Sequence, residues 1–244
     1  MRQIFPSPVT DIDPVEAYDE PRPPEGRPWV VTDMVASVDG GTAVAGRSGG
    51  LGGPGDKAVF RALRSIADVI LVGAGTARAE NYRAVVVDDA ARQRRTARGQ
   101  RPVPRLALVS GRLDLDPTSP MFTDAAEAPL VFTTAAAAQR SDAFTDVAEV
   151  VAAGDDAVEL PVVMAQLHER AVGIVLVEGG PTLNGQLVAA GFVDEWCLSV
   201  APMLLAGKSA RVAHGPDPAA PIGLELHRLL EEDGYLFATY RVAQ

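Results

Sequence analysis

The stretch GIVLVEGGPTLNGQL, residues 173–187, decides how the rest of the chain is read. Ile174, Val175, Leu176 and Val177 form a short apolar run of the kind that makes a buried strand. Glu178-Gly179-Gly180 breaks the run, and Pro181 stands where the first turn of a helix accepts a residue without an N–H. Strand, glycine pair and helix start, in that order, make a phosphate cradle. The glycines let backbone approach a diphosphate, and the unpaired N–H groups and positive end of the helix attract its charge. A nucleotide cofactor is therefore the first functional expectation. A tight strand-to-helix turn without a ligand is the alternative.

Outward from this stretch, strands and helices alternate. Strands are expected at 29–37, 69–73, 105–110, 130–133 and 148–152, with helices at 57–65 and 159–170. The arginine-rich segment 84–100 reads equally as helix or loop. Such alternation implies an α/β fold with a largely parallel sheet. At the C-terminal end, 225–230 and 235–242 flank Asp233-Gly234, a hairpin signal, so that edge is expected to be antiparallel. Prolines at 6, 8, 14, 21, 23, 24 and 28 argue against a regular helix before Trp29. Residues 1–28 are thus expected as an extended surface arm, and 29–244 as one domain.

Composition narrows the function. The 244 residues carry 32 acidic against 22 basic side chains, a net charge of −10, whose field disfavours nucleic acid or an anionic membrane as partner. No run of about 18 uncharged apolar residues and no signal pattern occurs, so a soluble, cytoplasmic protein is expected. The single cysteine, Cys197, lies in an apolar run and reads as a core thiol. His168, His214 and His227 show no metal-ligand spacing, and no metal is expected.

Several motifs compete for the chemistry. Gly46-Arg47-Ser48-Gly49-Gly50 fits the nucleophile pattern of hydrolases, with Asp194 and His214 following in triad order, but the surrounding glycines read as loop rather than strand and helix. Ala206-Gly207-Lys208-Ser209 resembles the end of a P-loop whose first glycine is replaced by Pro202. Gly73-Ala74-Gly75-Thr76 is half of a dinucleotide fingerprint, with Arg78 in place of the third glycine. Asp56 reads as an N-cap for the helix 57–65 or as a carboxylate holding a nitrogen heterocycle. Ser37-Val38-Asp39-Gly40 is a turn or a substrate contact at the end of the first strand. Arg64 is a surface charge or an anion clamp, and Glu178 faces the substrate or a ribose hydroxyl, or pairs with an arginine. The arginines at 92, 94, 95, 98, 101 and 105 read as a solvated face.

MVASVDG (34–40), FRALRSIADVILVGAGTARAEN (60–81) and VEGGPTLNGQLVAAGFVDEWCLSVAPMLLAG (177–207) agree in order and spacing with one family. The chain resembles the reductase domain of the riboflavin-biosynthesis deaminase/reductase proteins, a branch of the dihydrofolate-reductase-like fold. The resemblance implies NADPH, with its diphosphate near Gly179, Gly180, Pro181 and Thr182 and along Gly73, Gly75 and Thr76. It places the adenosine 2′-phosphate near Ser110 and Arg112, and it implies a homodimer. A small pyrimidine substrate would meet Ser37, Asp39, Arg64, Asn81 and Glu178, with Asp56 as the catalytic carboxyl. The HxE and PCxxC motifs of the deaminase half do not occur in this chain, which is expected to act as a reductase without it. Asn81 stands where the riboflavin branch has an aspartate, and Asp88 where it has a phosphate-binding arginine. Asp56-Lys57-Ala58-Val59-Phe60-Arg61 also resembles the helix start of bacterial dihydrofolate reductases, which keeps a pterin substrate open. A non-catalytic nucleotide-binding scaffold is the third alternative.

Overall fold

The structure, a computed structural model, describes residues 1–22 and 26–243; Pro23 and Pro24 of the proline-rich segment lie outside the described residues. The chain runs through β1 (Arg2–Phe5), α1 (Pro14–Tyr18), β2 (Trp29–Ser37), α2 (Pro54–Ile66), β3 (Val69–Gly73) and α3 (Ala74–Ala79). It continues through α4 (Asp89–Ala97), β4 (Arg105–Val109), α5 (Pro120–Thr123), β5 (Leu130–Thr133), α6 (Ala135–Ala138) and β6 (Glu149–Ala152). It ends with α7 (Leu160–Glu169), β7 (Ile174–Val177), α8 (Pro181–Ala189), β8 (Glu195–Ala201), β9 (Leu224–Glu232) and β10 (Tyr235–Val242). Two compact units result. The first holds residues 1–22, 30–66 and the chain from Leu176 onward, and the second holds Ala67–Val175 with the short segment before Val30. Among the described residues no helix is long and apolar enough to cross a membrane.

In the first unit β2 runs parallel to β8, with Met34 beside Leu198 and Val35 beside Ser199. Three further pairings are antiparallel: β8 with β10, β10 with β9, and β9 with β1. The expected hairpin is present, its turn made by Asp233 at φ 52° and Gly234 at φ 80°, the positive values that a two-residue turn needs to match strand twist. Burial alternates along β8, so Glu195, Cys197, Ser199 and Ala201 share the covered face. Cys197 is a buried thiol.

The proline-rich N-terminal segment departs from the expected arm. β1 adds a strand to β9, and Asp13 caps α1 by accepting the Val15 N–H at 2.8 Å. Tyr18 is buried, and Arg22 donates to both oxygens of buried Glu195 at 3.1 and 2.9 Å. The physical reason lies with Pro14, which occupies the first turn of α1, where a missing N–H costs no hydrogen bond. This proline starts a helix instead of preventing one.

The second unit is a parallel ladder of β3, β4, β5 and β6 in that order. Its inner strands are continuous apolar runs, as expected of strands covered on both faces. Asp68 ties the unit together by accepting the N–H groups of Gly173 and Ile174, both at 2.9 Å. The undecided segment 84–100 contains α4, which Asp88 caps by accepting the Ala91 N–H at 2.7 Å. The arginine cluster is only in part the solvated face expected: Arg92, Arg98 and Arg101 are exposed, whereas Arg95 and Arg105 are buried. Arg95 is fully buried, donating to the Ala67 carbonyl at 2.5 Å and to the Arg101 carbonyl at 2.9 Å, and burial lowers its pKa to about 10. Ala91 and Arg95, four residues apart, form the inward stripe of α4, and the apolar stem of arginine allows its burial once carbonyls receive the head.

Candidate functional site

The helix expected at 57–65 begins three residues earlier, at Pro54. Asp56 is consequently a first-turn acid, and the N-cap reading is corrected. The proline supplies first-turn geometry that the flanking glycines obscure in the sequence. Gly52 passes so close that a Cβ there would lie 2.5 Å from Oδ2 of Asp56, so the preceding loop lies directly against the carboxyl. Burial pushes the Asp56 carboxyl above its ordinary range, with the Ser199 hydroxyl and Lys57 pulling the other way.

Two turns along α2, Arg64 lies over the Phe60 ring with its guanidinium carbon 4.1 Å from the centroid. It donates through Nε and Nη2 to the two oxygens of Glu178, each at 2.7 Å. The Glu178 side chain is only 2% exposed. Of the readings open for Glu178, the pair with an arginine is the one formed. A further acid, Asp33, emerges from β2 on the side that carries Val35 and is half-buried. Its pKa is raised well above the usual range by burial first, then by Asp56 and Glu178, with Arg64 opposing. Sequence periodicity does not single out Asp33. The available signal is an acid between the apolar runs Trp29–Val31 and Met34–Ala36.

At the start of α8, Gly180 occupies the N-cap without a side-chain cap and Pro181 follows, while Gly179 adopts φ +97°. Asn184 donates to the Val212 carbonyl at 2.7 Å and to the Met34 sulfur at 2.9 Å. Thr182 Oγ1 lies 3.5 Å from His214 Nε2, and the His214 N–H donates to the Pro181 carbonyl at 3.0 Å. In the second unit Gly73 is the N-cap of α3 and Thr76 lies in the same helix. Gly75 opens onto space, since a Cβ there would meet no atom within 4 Å. Asn81 follows α3 at φ +54°. Ser110 is buried, its N–H donating to the Phe132 carbonyl at 2.9 Å, and Arg112 is exposed.

Ser37 and Asp39 form a turn. The Ser37 hydroxyl donates to Asp39 at 2.5 Å, and the Leu205 and Ala206 N–H groups donate to the same carboxylate, holding its pKa down at about 2. The hydrolase triad is not assembled. Ser48 opens a short turn rather than a strand-to-helix elbow, and Asp194 accepts the Val30 N–H at 2.8 Å. Ser209, of the P-loop-like tetrapeptide, accepts the Thr42 N–H at 2.8 Å.

Residues 28–231 match the RibD C-terminal domain family. The chain belongs to that family. It is 32% identical over 208 residues to the 2,5-diamino-6-ribosylamino-4(3H)-pyrimidinone 5′-phosphate reductase of Methanothermobacter thermautotrophicus, covering 83% of this chain and 92% of that protein. Its structure is similar to that of a pyrimidine reductase-like protein of Corynebacterium diphtheriae, with a TM-score of 0.81 at 30% identity over 89% of this chain and 92% of the other. The riboflavin biosynthesis reductase Rib7 of Saccharomyces cerevisiae shares the fold at a TM-score of 0.69 and 18% identity, over 93% and 95% of the two chains. The architecture is thus the α/β fold of the RibD reductase domains, with mostly parallel strand pairing and an antiparallel C-terminal hairpin.

Proposed function

We propose that this RibD-family protein is an NADPH-dependent reductase of a ribosylaminopyrimidine phosphate, of the 2,5-diamino-pyrimidinone or 5-amino-uracil type. The observation that carries this reading is Asp56, a half-buried first-turn carboxyl with a raised pKa, in a chain so similar to a named pyrimidinone phosphate reductase. NADPH, when bound, supplies the hydride that reduces the ribosyl imine carbon, and the imine nitrogen takes a proton. Asp56 would hold the amidine-like edge of the ring and favour the protonated substrate, for which a raised pKa is the suitable poise. Glu178 would fix Arg64 through their two-point contact, and Arg64 would present positive charge to the anionic substrate.

The residues present suit a dinucleotide. The N-terminus of the nine-residue α8 carries no side-chain cap, and the open space beside Gly75 admits close backbone contact. In the first unit Gly179, Gly180, Pro181 and Thr182 would contact the diphosphate of the cofactor; in the second, taken by itself, Gly73, Gly75 and Thr76 are the candidate cofactor contacts and Ser110 with Arg112 those for the 2′-phosphate. The same reading takes the protein as a cytoplasmic homodimer. Substituting Asp56→Asn is expected to lower turnover about 10²-fold while NADPH affinity stays near wild type. Unchanged turnover would remove Asp56 from the chemistry.

A dihydropterin is the second reading. Asp88, at the position of the riboflavin branch's phosphate-binding arginine, is engaged as the cap of α4. Dihydrofolate tested beside the ribosylaminopyrimidine phosphate separates the two by kcat/KM.

A further inference from the structure

The run leading into α2 holds five glycines between positions 49 and 55, so its backbone gives up much conformational freedom when ordered and has to be held by contacts from outside. Tyr235, the first residue of β10, supplies two. Its hydroxyl donates to the Leu51 carbonyl at 2.9 Å, and its ring packs on the backbone of Gly53, where a Cβ would lie 3.0 Å from the ring carbons. Between these contacts stands Gly52, whose close approach to the Asp56 carboxyl leaves no room for a Cβ. The Gly53 carbonyl in turn accepts the Lys57 N–H at 3.1 Å, so the run passes directly into the first turn of α2. Tyr235 is itself fixed. It follows the turn at Asp233 and Gly234, and its ring stacks on that of Phe237 with centroids 6.1 Å apart and planes 7° apart. Phe237 is buried against the start of α2, since a Cβ on Gly55 would lie 2.9 Å from its Cζ. All of these residues belong to the first unit, and Tyr235 lies outside the stretch 28–231 shared with the RibD family.

We propose that Tyr235 is a positioning residue for Asp56, acting through the backbone of residues 51–53. The inference rests on the reductase reading and specifies how the carboxyl of that same site is held. The hydroxyl pins Leu51, whose side chain is fully buried, the ring pins Gly53, and Gly52 is thereby held against Oδ2 of Asp56. One consequence is geometric. The Asp56 carboxyl is aimed before substrate arrives, which is what two-point contact with a ring edge requires. The other consequence is electrostatic. The loop keeps water from one side of the carboxyl, and desolvation is the largest cause that raises its pKa. The other groups facing Asp56 are Lys57 of the same helix, Ser199 of β8 and Asp33 of β2, while Glu232 of β9 lies beside Gly55. Removing the Tyr235 hydroxyl deletes none of these groups.

The test compares wild type, Tyr235→Phe, Gly52→Ala and the double variant. Tyr235→Phe keeps the ring on Phe237 and Gly53 and removes only the hydroxyl. It is expected to lower kcat/KM for the ribosylaminopyrimidine phosphate about fivefold or more, the worth of one hydrogen bond, with NADPH affinity changed less than about twofold. Carbon-13 carboxyl titration of the free protein is expected to show the Asp56 midpoint moving down toward the ordinary carboxyl range, because water gains access. A tyrosine that serves stability alone leaves this midpoint where it is. Gly52→Ala acts on the same loop from the side of Asp56, so the double variant is expected to lose less than the product of the two single losses. An unmoved midpoint or an unchanged kcat/KM in a folded, active Tyr235→Phe would overturn the proposal, as would single losses that multiply independently. A wild type without reductase activity would defeat the reductase reading instead. The Asp56 titration needs no substrate, so in that case a moved midpoint still supports the positioning role and an unmoved one overturns it.

Discussion

Arg64 and Glu178 hold the candidate site at the scale of single residues. Their contact uses both carboxylate oxygens, and the 2% exposure of Glu178 means that water cannot substitute for the guanidinium. Substituting Arg64→Met is therefore expected to cost about 3–5 kcal/mol, because it strands a buried carboxylate. Glu178→Gln, which removes the charge together with its burial penalty, is expected to cost clearly less. Urea unfolding of both variants checks this asymmetry, and equal losses would contradict it. Each of the two residues was visible in the sequence, Arg64 on a helix and Glu178 after an apolar strand. Their partnership was not, because it joins positions 114 residues apart. Asp33 escaped notice because periodicity reads an acid within a strand as outward-facing, and only the register with β8 sets it among Tyr18, Cys197 and Asp56.

At the scale of elements, the segment after β8 is fastened at two places. Asp39 receives the Leu205 and Ala206 N–H groups, and Thr42 meets Ser209 and Ala210, which ties the loop between β2 and α2 to that segment. Further on, Val212 and His214 close over α8. Gly185 makes this closure possible, since a Cβ there would lie 2.2 Å from the His214 carbonyl oxygen. Gly185→Ala is expected to cost about 1–3 kcal/mol and to free the segment around His214. Thermal unfolding and limited proteolysis check this, and wild-type behaviour in both would contradict the close approach. The strands and the hairpin were legible because short continuous or alternating apolar runs bounded by turn residues fit a strand and little else. The starts of α1 and α2 were not, since Pro14 and Pro54 read as interruptions when their neighbours are loop residues, and only packing shows them to be first-turn residues.

At the scale of the molecule, alternating strands and helices with a final hairpin sufficed to expect the α/β class. The role of residues 1–22 required the structure. Glu20 meets Arg228, Arg241 and His227, and Arg22 meets Glu195, so this segment is joined to β8, β9 and β10 by ion pairs between residues far apart in the chain. No local pattern announces such pairs. Likewise, the glycine turns after β3 and β7 were legible as candidate cradles, but their ligand was not, because a turn that admits a diphosphate also serves a ligand-free fold. The most direct test of the account is to incubate the purified protein with the ribosylaminopyrimidine phosphate and either NADPH or NADH, following cofactor oxidation and the ribityl product together. The account predicts one NADPH oxidised per product formed, with NADPH preferred at least about tenfold, some 1.4 kcal/mol. Saturable NADPH binding with no oxidation, for this substrate and for dihydrofolate alike, would contradict it and leave a nucleotide-binding scaffold.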